Sequence, residues 1–334
     1  MREDRSIFLA PWFRPLLWPL VALTTLLLFN LLFTEGFAHI EIKDDHFFGS
    51  LVDVLKQASR VMLVSLGMTL IIATGGVDLS VGAVIAIAGS VAAQLLVQAH
   101  AGLATAILAT LGACLLLGVW NGVLVAGFGV QPIVATLILM VAGRGVAQLL
   151  TDGQIITVER AGFTFIAGGY FLSLPFPVTL VLVALLLTSA ATRWTAMGLF
   201  IESVGNNETA SYFAGVNARA VKLFVYGFCG LCAGAAGLIE ASTIKAADAN
   251  NAGLYLELDA ILAVVVGGTA LTGGRFNLLG SLVGALIIQT LTTTILTRGV
   301  PVQYTLVVKA VVVLAVCLLQ SEQFRARLLR RRRA

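Results

Sequence analysis

Apolar residues dominate this chain in runs long enough to cross a bilayer, and its polar residues gather in short clusters between them. Ten runs stand out: residues 16–33, 61–74, 81–97, 102–127, 132–150, 175–191, 223–240, 259–272, 278–296 and 304–319. A spanning helix needs about 20 mainly apolar residues. The pattern therefore predicts an all-α polytopic membrane protein of about ten transmembrane helices, forming one domain over residues 1–334. The second and eighth runs are short, and each adjoins a glycine-rich motif. Such runs predict broken or re-entrant helices buried within the protein. Residues 39–60 mix Asp, Lys and His with Phe47, Phe48, Leu51, Val52, Val54 and Leu55. That mixture predicts an external loop leading into a short interfacial helix, serving either as a docking point or as a plain connector.

Composition supports the same class, with 59% hydrophobic and 11% charged residues and a mean hydropathy of +0.98. The net charge of +4 and pI near 9.0 suggest nucleic acid only until the charges are located. The longest basic run, 330–333, directly follows an apolar helix and belongs at a headgroup surface, so no nucleic-acid partner is expected. Arg2, Arg5 and Arg14 precede the first apolar run, which is long and lacks a small-x-small cleavage site; an uncleaved first span is expected.

Ten alternating helices with an internal N-terminus collect Arg193, Arg219, Lys222, Arg275 and both terminal basic patches inside. Glu35, Glu41, Asp44, Asp45, Asp53, Asp152 and Glu159 then fall outside, diluted by Lys43, Lys56, Arg60 and Arg160. This follows the positive-inside tendency and puts both termini in the cytoplasm. Trp12, Trp18 and Trp194 read as interfacial anchors. The four cysteines, Cys114, Cys229, Cys232 and Cys317, all lie inside apolar runs, where they pack as small residues between helices. His39, His46 and His100 show no local ligand spacing, so no metal site is expected.

Candidate chemistry sits at the breaks. TGGVDLSVG, residues 74–82, places Asp78 between apolar runs, where a carboxylate is costly and faces a cavity, the protein interior or the membrane edge. Asp78 and Ser80 can cap the helix beginning near Val81, a job that needs no substrate. VVVGGTALTGGRFNLLG, residues 264–280, repeats that style through Gly267, Gly268, Gly273 and Gly274. The two motifs suggest equivalent re-entrant features in two weakly symmetric halves. GxxxxGK[ST] does not occur, so an ATP site in this chain is unsupported.

Residues 192–222 are polar enough to leave the membrane. There Gly205, Asn206 and Asn207 provide a turn or cap, Ala210, Tyr212, Phe213 and Ala214 give a short helix an apolar face, and Gly215 with Asn217 closes it. Such a helix suits insertion into another protein, or it rests on its own bundle. Asn121, Gln131, Thr136, Arg144, Gln148, Glu240, Glu257, Asp259 and Lys309 can line a cavity, as can the rings of Trp120, Phe163, Tyr226 and Tyr255. Each also has a structural use, in interhelical pairs or caps.

GGVDLSVG, NNETASYFAGVNARAVK and ELDAILAVVVGGTALTGG resemble, in that order, motifs of the ribose/xylose/galactose branch of bacterial ABC sugar-import permeases. The resemblance covers nearly the whole chain. QPIVATLILMVAGRGVAQLL followed by TDGQ looks particularly like a galactofuranose-transporter permease. The resemblance implies a membrane subunit that is not an enzyme and binds no cofactor, in the bacterial inner membrane. It implies a second permease subunit, identical or different, a cytoplasmic ATPase that uses ATP and Mg, and a periplasmic sugar-binding protein delivering a small sugar. It places the ATPase-coupling surface at Asn206, Asn207, Glu208, Ala210 and Gly215. It places pathway or gate positions at Asp78, Gly82, Glu257, Asp259 and the four second-motif glycines, to which the polar interior positions add Asn121 and Arg144.

Two neighbouring readings keep the ATPase: import of ribose or another sugar, and import of a nucleoside. A secondary sugar transporter driven by an ion gradient is a different class, as is a membrane receptor or scaffold without transport. The polar 192–222 loop argues against the first of these, and the polar interior positions argue against the second.

Overall fold

The computed structural model describes residues 16–320, except 35, 38, 40, 44 and 45. Arg2, Arg5, Arg14, Trp12, Glu35, Asp44, Asp45 and the arginine run 330–333 lie outside the described residues.

The chain is helical almost throughout. Helix α1 (Leu17–Phe33) leads to a small hairpin, β1 (Glu41–Lys43) and β2 (His46–Phe48), and then to α2 (Ser50–Ala73). After the loop 74–80 comes α3 (Val81–Ala93), extended by a π-helical turn at Gln94–Gln98. Helix α4 (Leu103–Gly122) carries a second π-helical turn at Val123–Gly127, and α5 (Pro132–Leu150) starts on a proline whose missing N–H costs nothing there. Strand β3 (Ile156–Thr157), α6 (Ala161–Gly168), β4 (Tyr170–Phe171) and β5 (Leu174–Pro175) precede α7 (Phe176–Arg193). Next are α8 (Met197–Asn206), α9 (Glu208–Phe213), α10 (Ala218–Ile244) and β6 (Ala246–Ala247). Helices α11 (Leu256–Val266), α12 (Leu278–Thr297) and α13 (Val302–Gln320) complete the chain.

Seven of the described helices are long and apolar enough to cross a membrane: α2, α3 with its π turn, α4 with its own, α5, α7, α10 and α12. Helix α1 and the Tyr304–Val316 part of α13 are apolar but shorter. Helix α11 has 11 residues, about 16 Å at 1.5 Å per residue, roughly half a hydrocarbon core. It is the broken element that the eighth apolar run announced.

The second run is different from expectation. Its helix starts at Ser50 and runs unbroken through Arg60 for 24 residues, a full spanning length. No separate interfacial helix precedes it, because the mixed stretch 50–60 joins the same helix. Residues 41–48 instead pair as an antiparallel hairpin, Glu41 opposite Phe48. A second hairpin, Tyr170 opposite Pro175, turns at Leu172 and Ser173, whose φ angles of 50° and 64° suit a type I′ connection. The Phe47 amide donates to the Ser173 carbonyl at 3.4 Å, holding both hairpins at one end of the bundle.

The core is made by α2, α3, α10 and α12. Buried positions fill 78% of the most apolar window of α2 and only 17% of that of α7, so α7 presents an apolar outer face. Small residues let the inner helices approach. At the α4–α10 crossing Gly118 faces Gly230, and a Cβ on Gly118 would stand 3.1 Å from the Gly230 Cα. Cys114, Cys229 and Cys232 are buried, unoxidised and packed beside such glycines, the structural use read from the sequence. Hydroxyls finish the seams: Thr69 donates to Ser281 at 2.7 Å between α2 and α12, and Asn30 to Thr294 at 2.7 Å between α1 and α12.

Candidate functional site

At the end of the bundle opposite the hairpins, α7 hands the chain to α8 and α9. Asn207 adopts an extended backbone, and its Oδ1 accepts from the Ala210 amide at 2.9 Å, which starts α9. Gly215, at φ +85°, lets the chain turn back, and the Asn217 side chain accepts from the Ala220 amide at 3.1 Å to start α10. Lys222 of α10 donates to Glu208 at 2.7 Å, tying the short helix to the long one. Within α9 only Ser211 is buried. Tyr212 and Phe213 are 70% and 81% exposed, their rings set edge to face at 5.8 Å. A groove lined by Glu208, Thr209, Tyr212, Phe213, Val216 and Arg219 runs beside them. The two rings are held out on a capped, salt-bridged helix and do not rest on the bundle.

The first glycine motif is a compact polar knot. Asp78, 2% exposed, accepts from the Ser80 amide at 2.8 Å and the Ser80 hydroxyl at 2.6 Å. Asn121 of α4 donates to the same hydroxyl at 2.9 Å. Ser80 holds the N-cap position of α3 but does not cap it with its side chain, since the hydroxyl is spent on Asp78. The Asn121 Oδ1 and the hydroxyl of fully buried Tyr226 have no hydrogen-bond partner. Phe163 is equally buried, so neither it nor Tyr226 presents an open ring to a cavity.

Nearer the hairpin end, Arg144 of α5 donates to the carbonyls of Ala249 and Ala252, at 3.1 and 2.6 Å. Glu240 accepts from the Gly253 amide at 3.0 Å and lies 3.7 Å from Arg60, an interhelical pair between α10 and α2. Glu257 is buried in the first turn of α11 beside Gly82, where a Cβ would stand 2.5 Å from the Gly253 carbonyl oxygen. Asp259 pairs with Lys309 of α13 at 2.9 Å. In the loop after α10, burial lifts the Asp248 carboxyl. Hydrogen bonds from Asn251 and Asn250, with the charge of Arg144, outweigh that and hold it below the usual carboxylate range.

The second glycine motif follows α11. A Cβ on Gly267 would press on the backbone of Gly280 and stand 2.6 Å from the Ser281 nitrogen, so the two half-motifs of this turn touch backbone to backbone. Gly268, Gly273 and Gly274 all have positive φ, 91°, 84° and 94°. The Gly274 amide then donates to the Ala73 carbonyl at 2.9 Å, joining the second motif to the last residue of α2. Thus the structure brings together the two glycine motifs, with Asn206 beside Gly274. Glu257 packs instead against Gly82, at the far end of the first motif, while Asp259 turns away to Lys309.

This chain matches, over residues 50–317, the family described as branched-chain amino acid transport system / permease component. The chain belongs to that family. It is a multi-pass membrane permease, a transport subunit and not an enzyme. It is 53% identical over 312 residues to the galactofuranose transporter permease protein YtfT of Escherichia coli (strain K12), covering 92% of this chain and 91% of that one. It is 38% identical over 282 residues to the ribose import permease protein RbsC of the same organism, with 82% and 86% covered. The fructose import permease protein FruF of Bifidobacterium longum is 37% identical over 312 residues, with 92% and 87% covered. No solved structure matches the chain.

Sequence reasoning passed over Gly205 and Arg60. Gly205 reads as part of a turn, yet it is helical and wedged against Ala73. The signal was available: glycine inside a helix costs about 1 kcal/mol relative to alanine, which asks for a packing reason. Arg60 reads as an external charge because the apolar run begins only at Val61, whereas the helix begins at Ser50.

Proposed function

We propose that this permease is the membrane subunit of an ATP-driven ABC importer that carries galactofuranose or a closely related monosaccharide across the bacterial inner membrane. The observation that carries the reading is the exposed α9, offered between α7 and α10 by an otherwise membrane-buried chain, in a protein 53% identical to a galactofuranose permease. Residues 192–222 are the coupling loop, with Asn206, Asn207, Glu208, Ala210 and Gly215 at or beside the ATPase contact. Asn207 and Glu208 act there by holding α9 in place, and the Tyr212 and Phe213 rings make the contact. ATP and Mg belong to that partner. A second permease subunit, identical or different, completes the pathway, and a periplasmic sugar-binding protein delivers cargo at the hairpin end. Both termini are then cytoplasmic.

Asp78 and Asn121 at the first motif, Gly267, Gly268, Gly273 and Gly274 at the second, and Arg144, Glu257 and Asp259 toward the hairpin end are the gate and pathway positions. Their mechanical role is to shift between two discrete packings as the ATPase cycles, which needs different contacts in the two states. Ribose or fructose as cargo is the second reading, supported by relatives at 38% and 37% identity.

The test is uptake of labelled galactofuranose, ribose and fructose into proteoliposomes holding the permease, its ATPase and its receptor. ATP-dependent uptake of galactofuranose alone is expected. Uptake of ribose or fructose alone keeps the importer and rejects the sugar. Uptake that follows an ion gradient and ignores ATP overturns the mechanism.

A further inference from the structure

Three backbone segments meet where α8 ends. A Cβ on Gly205 would overlap the Ala73 carbonyl oxygen and stand 2.6 Å from the Gly274 nitrogen, the two atoms of the hydrogen bond that joins the glycine motifs. A Cβ on Gly273 would lie 3.0 Å from the Gly205 carbonyl oxygen and 3.0 Å from the Gly75 nitrogen. A Cβ on Gly274 would stand 2.5 Å from the Asn206 Oδ1, and Asn206 is itself held by its Nδ2, which donates to the Glu202 carbonyl at 2.9 Å. The last carbonyls of a helix have no partner within it. Among the described residues, the Ala73 carbonyl of α2 accepts across this contact from the amide of Gly274, about 200 residues further along. One residue further along, Asn207 begins α9.

We infer that Gly205 is a positioning residue for transport: it lets the end of α8 clamp the hydrogen bond between the two glycine motifs, so that α8 and both motifs move as one body when α9 is displaced. The inference rests on the importer reading above. It assigns to the chain a specific route from the docking helix to both halves of the bundle. At Gly205 and Gly273 the route is backbone against backbone, so no side chain there can swing aside. A close-packed contact of this kind transmits a displacement instead of absorbing it.

Two measurements on the full complex in proteoliposomes test it. Gly205→Ala forces the three segments apart. Gly112→Ala adds the same methyl to α4 where nothing lies within 4 Å, and serves as the control. With assembly and ATP hydrolysis measured alongside, the Gly205 variant is expected to hydrolyse ATP yet move at least tenfold less sugar per ATP than wild type, while the control matches wild type. An unchanged ratio in an assembled Gly205 variant overturns the inference. Should that variant fail to assemble, hydrogen exchange on the wild-type complex decides. Amides of residues 273–275 are expected to be equally protected in the ATP-bound and ADP-bound states, and loss of protection in either state shows that the junction parts and sinks the idea. The wild-type arm separates the two levels: no ATP-dependent uptake of any sugar there counts against the importer reading and not against the junction.

Discussion

Gly267 and Asp248 show how differently single residues are held in this protein. Gly267 is fixed by contact alone, because its Cα faces the backbone of Gly280 and Ser281 with no room for a methyl. Gly267→Ala therefore overpacks the turn, and a loss of about 1–3 kcal/mol is expected, read as a lowered unfolding midpoint in detergent. Gly112→Ala, with open space around it, is expected to leave that midpoint unchanged or raise it slightly. Asp248 is held by charge and hydrogen bonding. Its folded carboxyl lies below the usual range, so its contribution is present above the unfolded carboxylate pKa, about 3.9, and is lost as pH falls through the lower folded value. Melting curves of wild type and Asp248→Ala should differ at pH 7 and converge below about pH 4. A gap that persists in acid would mean that the side chain acts by packing.

At the scale of the element, the short helices need more explaining than the long ones. The six residues of α9 are too few to be stable alone, since isolated helices shorter than about 12 residues are marginal in water. The helix persists because Asn207 caps it, Lys222 pairs with Glu208, and Ser211 donates to the Asn207 carbonyl at 2.8 Å. Its rings contribute nothing to that stability. Replacing Tyr212 and Phe213 together by serine should change the melting temperature little, as surface substitutions do, while weakening ATPase association at least tenfold. Pull-down of the partner against melting by fluorescence makes the comparison, and equal partner recovery would remove α9 from the docking surface. Helix α11 was legible in advance for a related reason. Glu257 and Asp259 interrupt its apolar run and the paired glycines end it, so it could not be read as a full span. The start of α2 was not legible. Asp53, Lys56 and Arg60 look like loop charges in a hydropathy trace, but all three lie in the helix, where Arg60 meets Glu240.

For the whole molecule, burial divides the helices by neighbour and not by hydropathy. Leu66 of α2 is fully buried, whereas Leu186 of α7 is 68% exposed. Leu66→Ala is expected to cost about 2–5 kcal/mol through transfer and cavity terms. Leu186→Ala on the outer face should cost well under half of that, and matched unfolding curves measure the difference. Mean hydropathy does not sort them: α7 is the more apolar of the two and yet the more exposed, because lipid and protein interior are equally apolar surroundings.

The sequence by itself determined that this is a helical membrane protein. It also set the ten apolar runs in helices, with the bounds of the second and eighth misplaced, put a polar loop with a capped aromatic helix between two of them, and carried the family's motifs. Those are local properties of composition, helix caps and glycine placement. Tertiary structure alone decided that α2 begins at Ser50, that Glu240 turns to Arg60 and not to Arg144, and that the two glycine motifs meet through Ala73 and Gly274 under Gly205. The reason is physical: each of these outcomes depends on which backbone or charge arrives from a distant part of the chain, and hydrocarbon leaves buried polar groups no partner except the one that folding delivers.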